Sequence, residues 1–139
     1  VANNIAWSCA VAPEALGDYR RAVALAELGV ASRPEQNRLN TLGAVLYRAG
    51  RVEESVRLLD RSVASHRAGG TAYDAVFLAM AHQRLGHTAE AREWLRRVGI
   101  PAAYGMHKPD ETGPSSWIPR LELEFLRREA SALIDPPSP

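Results

Sequence analysis

Leu39-Asn40-Thr41-Leu42-Gly43-Ala44-Val45-Leu46-Tyr47-Arg48-Ala49-Gly50-Arg51-Val52-Glu53-Glu54-Ser55-Val56 is the stretch that decides the fold. Before the second glycine, Leu39, Leu42, Val45 and Leu46 recur at i, i+3, i+6 and i+7. After it, Val52, Val56, Leu59 and Val63 recur at i, i+4, i+7 and i+11. Both are helical periods, not the alternation of a strand. Gly50 falls where one helix ends and the chain reverses, a place that favours a residue tolerant of positive φ. The stretch predicts two helices folded back on each other, with Glu53 and Glu54 near the positive end of the second helix dipole.

The same order occurs twice more. Asn3-Asn4-Ile5-Ala6 leads to Gly17-Asp18-Tyr19-Arg20-Arg21-Ala22-Val23, and Phe77-Leu78-Ala79 leads to Gly86-His87-Thr88-Ala89-Glu90-Ala91-Arg92. Gly17, Gly50 and Gly86 are 33 and then 36 residues apart. Repeats of roughly 20–50 residues mark a solenoid. Asp18 and Thr88 are expected to cap the helices that follow them, and Thr71, after Gly69-Gly70, to start the fifth helix. Pro13 cannot sit inside a helix. The first helix is therefore expected to end near Cys9 to Val11, with an irregular connection to Asp18.

The three copies share a pattern of large apolar residues (Ile5, Leu42, Leu78) beside small ones (Ala6, Gly43, Ala79). A turn glycine and a small residue five positions on (Ala22, Ser55, Ala91) complete each copy. This pattern resembles the tetratricopeptide repeat. The resemblance covers Asn3 to Val98 and implies an all-α, right-handed α-solenoid of antiparallel helix pairs, with about seven helices in all. It also implies a module that binds protein or peptide. Small residues are needed at these places because the two helices of a pair pack at close range. Asn3-Asn4, Ala6-Trp7 and the longer connection around Ala12-Pro13-Glu14-Ala15 are also similar to repeat regions of planctomycete-type bacterial signalling proteins. Val1 lies inside what reads as a helix, so the chain is expected to be part of a larger bacterial protein.

Residues 1–98 are thus expected to form three helix pairs. Residues 99–116, with Pro101, Gly105, Pro109, Gly113 and Pro114, read as a long loop. Trp117 to Ile134 reads as a helix that caps the array, with Leu126, Ala130, Leu133 and Ile134 on one stripe and Phe125 beside it. Residues 135–139 read as a tail.

The composition agrees with one domain that has a core: 139 residues, 46% of them apolar. Seventeen basic residues against sixteen acidic ones, a net charge of +1, argue against a dedicated nucleic-acid or polybasic membrane surface. The single cysteine, Cys9, excludes an intrachain disulfide and a cysteine-based zinc site. No apolar run approaches the roughly 18 residues of a bilayer span. A cytoplasmic location is expected. No histidine of His66, His82, His87 and His107 has a second ligand at i+3 or i+4, and no Gly-Lys-Ser/Thr phosphate loop is present. The reading is of a non-enzyme with no catalytic residues, no cofactor and no metal.

In stacked helix pairs the first helix of each pair lines the concave wall. By register, the candidate peptide-binding residues are Asn40, Ala44, Tyr47, Arg48, Tyr73, Met80, Gln83 and Arg84. They mix aromatic, amide and guanidinium groups, which give contact area and directed hydrogen bonds. The family's carboxylate clamp uses lysine and asparagine at first-helix positions that match Asn3, Trp7, Asn40, Ala44 and Tyr73 here. Its lysines are absent, so a clamp on a peptide C-terminus is not expected. Arg48 and Arg84, one repeat apart, suit an acidic peptide instead. Two alternatives stand beside this reading: homo-oligomerisation through the N-terminal helix at Ile5 and Trp7, or regulation of a catalytic domain elsewhere in a parent protein.

Overall fold

The computed structural model describes residues 1–98 and 117–138. They form seven helices and, among the described residues, no strand: α1 (Ala2–Val11), α2 (Arg20–Ser32), α3 (Gln36–Arg48), α4 (Val52–Ser65), α5 (Ala72–Arg84), α6 (Thr88–Val98) and α7 (Trp117–Ile134). The loop expected at 99–116 lies outside the described residues.

Each helix pairs with its sequence neighbour, α1 with α2, α3 with α4 and α5 with α6. The pairs then stack: α3 touches α1, α2 and α5, and α5 also touches α4. The first helices α1, α3 and α5 make one layer and the second helices the other. This is an α-solenoid. α7 follows as an unpaired helix against α5 and α6.

The turn chemistry follows from the sequence. Gly50 and Gly86 take φ of +79° and +80°, the left-handed conformation that lets α3 and α5 reverse into α4 and α6. Gly17 does not share it; in the first pair the positive φ, +54°, falls on Glu14. The residues around Pro13 displace the turn, and α1 ends at Val11 as expected. The Asp18 carboxylate accepts from the Arg20 backbone N–H at 2.9 Å and pairs with its guanidinium, which holds the Asp18 carboxyl down at about 2. Thr71 caps α5 in a reciprocal box with Asp74.

Small residues sit where close approach demands them. A Cβ on Gly43 would come within 2.6 Å of Leu59 Cγ, and Leu59 is fully buried. The Ser55 hydroxyl donates to the Gly43 carbonyl at 2.7 Å across the same contact. Gly43→Ala gains helix propensity of about 1 kcal/mol. The overpacking against Leu59 outweighs it, so a net loss of about 1–2 kcal/mol in urea unfolding is expected, and more for Gly43→Leu. A neutral or stabilised Gly43→Ala would show that α3 and α4 are further apart than this.

The core runs through all three pairs and includes Ala6, Leu42, Val45, Leu46, Leu59, Val76, Phe77 and Leu78. Ile5, expected to match Leu42 and Leu78, is half exposed, because no helix among the described residues covers that side of α1. Among the α7 residues whose side chains are described, the buried ones are Leu123, Leu126, Ala130 and Ile134. Leu133 and Phe125, expected on or beside the buried stripe, are 38% and 62% exposed instead. Leu123 replaces them, rotating the buried face toward the N-terminal side of the stripe.

Candidate functional site, the concave face and the helix that lies on it

The layer of first helices ends in a face built by α1, α3 and α5. The eight residues selected by register do come from this layer, but they divide into a surface set and a buried set.

Asn40 is buried, and its side-chain amide donates to Asp74 Oδ1 at 2.7 Å. Asp74 Oδ2 also accepts from Gln36 Nε2 at 3.1 Å, from the Thr71 backbone N–H at 2.7 Å and from the Thr71 hydroxyl at 2.9 Å. Asn40 therefore acts inside the fold: it locks α3 to the start of α5. Asp74 was not among the sequence candidates. The signal available for it was the Thr71-x-x-Asp74 spacing of a capping box.

Ala44, Tyr47 and Met80 have no exposed surface. Tyr47 meets Phe77 edge-on at 5.9 Å, and Phe77 meets Trp7 at 6.1 Å, itself edge-on to Tyr73 at 5.0 Å. This chain of rings runs from α3 through α5 to α1. Trp7 therefore belongs to the face between the helices, not to an exposed end of the array. Burial raises the Tyr47 hydroxyl pKa above its ordinary value.

Arg48 is the centre of the face. Its side chain is 3% exposed. Its Nε donates to the Ala10 carbonyl at 2.8 Å, at the C-terminal end of α1, where unpaired carbonyls and the helix dipole favour a cation. Its Nη atoms hold both oxygens of Glu129, with Nη2 to Oε2 at 2.8 Å. One guanidinium thus joins α1, α3 and α7. Such bidentate pairs fix geometry as well as charge.

A second carboxylate of α7, Glu122, lies seven residues earlier on the same face. Trp7 Nε1–H points to it at 3.4 Å and the Tyr73 hydroxyl at 3.5 Å. Burial, with the Glu122 carboxylate beside it, pushes the Tyr73 hydroxyl far up. At the far end of α7, Ile134 packs with Ala79 and Ala91, and Asp135 receives Arg92 at 2.7 Å. The helix thus lies along α5 with its N-terminal half beside Tyr73 and its C-terminal end beside α6.

α7 leaves one end of the face open. A cleft of about 750 Å³ lies between the 13–20 connection, α2, the C-terminal end of α3, Arg84 and Glu129. Arg20, Arg48, Arg51 and Arg84 all line it. The first three hold Asp18, Glu129 and Glu54. Arg84 is exposed, stacks over the Tyr47 ring at 4.3 Å, and has no carboxylate within ion-pair distance among the described residues. Gln83 is half-buried, and its Oε1 is buried without a hydrogen-bond partner among the described residues.

His82, in the last turn of α5, and His87, in the turn that follows, approach Nδ1 to Nδ1 at 3.3 Å. Burial of His82, and then the charge of His87, lower the His82 pKa. No group of three metal-ligating side chains occurs among the described residues. No helix among them is long and apolar enough to cross a membrane.

Among the described residues, six helices in three stacked antiparallel pairs, with a face lined by the first helix of each and a seventh helix against it, define a helical-repeat protein. The chain is a tetratricopeptide-repeat protein: two family models, each described as a tetratricopeptide repeat, match residues 37–68 and 75–97. These matches fall on the α3–α4 and α5–α6 pairs. The α1–α2 pair, with its displaced turn, stacks on them outside the matched stretches. No curated protein and no solved structure matches the chain, so the narrower likeness to repeats of bacterial signalling proteins has no counterpart there.

Proposed function

We propose that this chain, in keeping with the general role of tetratricopeptide repeats as protein-interaction modules, binds a peptide or helical segment of a protein partner along the concave face, with Arg48, Tyr73, Gln83 and Arg84 as its polar contacts. Asn40, Ala44, Tyr47 and Met80 shape the wall behind them. The observation that carries this reading is α7 itself. The face takes a helix, with Leu126 fully buried and Glu129 gripped by Arg48, which is the helix-in-groove mode of peptide recognition. Arg84, and the Gln83 Oε1 that has no hydrogen-bond partner among the described residues, offer an incoming segment a cation and an acceptor. This chain has no part in catalysis in this reading, and it needs no cofactor or metal.

Arg84→Glu is the variant that tests it, because Arg84 is exposed and its loss leaves the core intact. Wild type and Arg84→Glu would be used as baits in lysate from source cells and the bound proteins identified by mass spectrometry. A protein retained by wild type and lost by a folded Arg84→Glu supports the reading. Identical protein sets from the two baits contradict it. Recovery of the bait alone would favour self-association, a second reading supported by Ile5 and Leu28, which are 50% and 65% exposed on α1 and α2.

A further inference from the structure

The terminal helix of a repeat array normally presents a polar outer face, because its task is to cover the last apolar surface. α7 covers that surface with Leu123, Leu126, Ala130 and Ile134, and its outer side combines the exposed Glu124–Arg127 and Glu124–Arg128 ion pairs with two exposed apolar residues, Leu121 and Phe125, 56% and 62% exposed. Its grip on the array is not that of a simple apolar cap. It reaches past α5 to place Glu129 on Arg48 of α3 and Glu122 beside Trp7 of α1. Two carboxylates two helical turns apart, with Leu126 between them, meet two prepared partners.

The cleft adds the route. It opens directly beside Glu129 and is lined by Glu14, Asp18 and Glu27 as well as by four arginines, of which Arg84 has no carboxylate within ion-pair distance among the described residues. An acidic side chain entering there would find Arg84 available and would compete with Glu129 for Arg48.

Building on the concave-face reading above, we propose that α7 is an intramolecular ligand of the face. The partner segment that takes its place is an amphipathic helix with two carboxylates seven residues apart around a buried leucine, the pattern of Glu122, Leu126 and Glu129. Cis occupancy multiplies the apparent affinity for that partner by the fraction of time the face is open, so a mostly closed face binds weakly. A tethered helix acts at a high effective concentration, so a free helix of the same sequence competes poorly until the tethered one is weakened.

The test uses the full chain and a dye-labelled synthetic peptide of residues 117–134, read by fluorescence anisotropy. Leu126→Ala/Glu129→Ala weakens α7 in cis and leaves the receiving face unchanged. The peptide is expected to bind this variant at least ten-fold more tightly than it binds wild type. A peptide carrying Glu122→Lys and Glu129→Lys is expected to lose that gain. If the double variant fails to fold by circular dichroism, Glu129→Gln takes its place. It keeps the volume and removes the charge, and a several-fold gain is expected. Equal affinity for wild type and the variant, no binding to either, or no discrimination between the two peptides overturns the proposal. Such a result, together with a partner still lost on Arg84→Glu, would leave the concave-face reading standing and remove α7 from it. Failure of both experiments would remove both.

Discussion

Arg48→Ala is expected to destabilise the chain by about 3 kcal/mol and to release α7 before the rest unfolds. The guanidinium is almost fully buried and serves three elements: the Ala10 carbonyl of α1, its own helix α3, and Glu129 of α7. Removing it leaves Glu129 beside apolar surface with no cation, and leaves a C-terminal carbonyl of α1 without its donor. The cost of breaking a buried pair comes mainly from the charge left behind. About 3 kcal/mol is the lower end of that range, because the Glu129 side chain keeps about a quarter of its surface in water. Arg48→Met separates packing from charge. It restores much of the volume but not the pair, and should recover only a minor part of the loss. Urea unfolding gives the total, and hydrogen exchange shows where it falls: the α7 amides should lose protection while those of α3 and α4 keep theirs. A loss below about 1 kcal/mol with α7 still protected would mean that Arg48 does not hold the helix.

Asp74→Ala is the second large effect, on the order of 3–5 kcal/mol. Asp74 is fully buried and accepts four hydrogen bonds. Its loss removes the carboxylate half of the α5 capping box, leaving only the bond from the residue-74 N–H to the Thr71 hydroxyl, and strands the buried amide of Asn40; a buried donor without an acceptor costs more than a hydrogen bond contributes. The Gln36 amide is relieved in part by Ser62, to which it also donates at 3.3 Å. Asn40→Ala should cost less than Asp74→Ala, because it removes one donor and leaves the cap in place. The two effects should be less than additive, since they share a bond. Additive losses in denaturant titrations would show that Asn40 and Asp74 do not meet. The expected ordering also separates two roles for Asn40. A partner-binding asparagine would affect affinity and leave stability alone.

Helix existence was legible in the sequence because the apolar periods of α3 to α6 are strong and their turns carry glycine. Gly43 beside Leu59 shows why the pattern works: a register of small residues is a direct record of close backbone approach. The first pair was less legible. Ile5 has the right residue type and spacing, but its burial depends on a neighbour that spacing does not encode. Gly17 aligns with Gly50 and Gly86, yet the Pro13 segment moved the turn and put the positive φ on Glu14.

The concave face was legible as a set of residues and not as a surface. Register correctly placed Tyr47, Arg48, Tyr73 and Arg84 on the first helices. It could not show that α7 crosses that face, because the contact between Arg48 and Glu129 spans 81 positions and leaves no local pattern. Arg48 reads in the sequence as a site for an acidic peptide, and in the structure its guanidinium is taken by Glu129. The acid it holds is the chain's own. In α7 the choice between Leu123 and Leu133 was equally hidden, since apolar residues lie on both sides of the helix and only the array decides which side turns inward.

The most direct measurement is a double-mutant cycle on Arg48 and Glu129, from the unfolding free energies of wild type, Arg48→Ala, Glu129→Ala and the double variant. If α7 lies across the concave face with Glu129 on Arg48, the two substitutions are coupled by about 1 kcal/mol or more. Independent losses, adding to within about 0.3 kcal/mol, would contradict the placement of α7 and everything built on it.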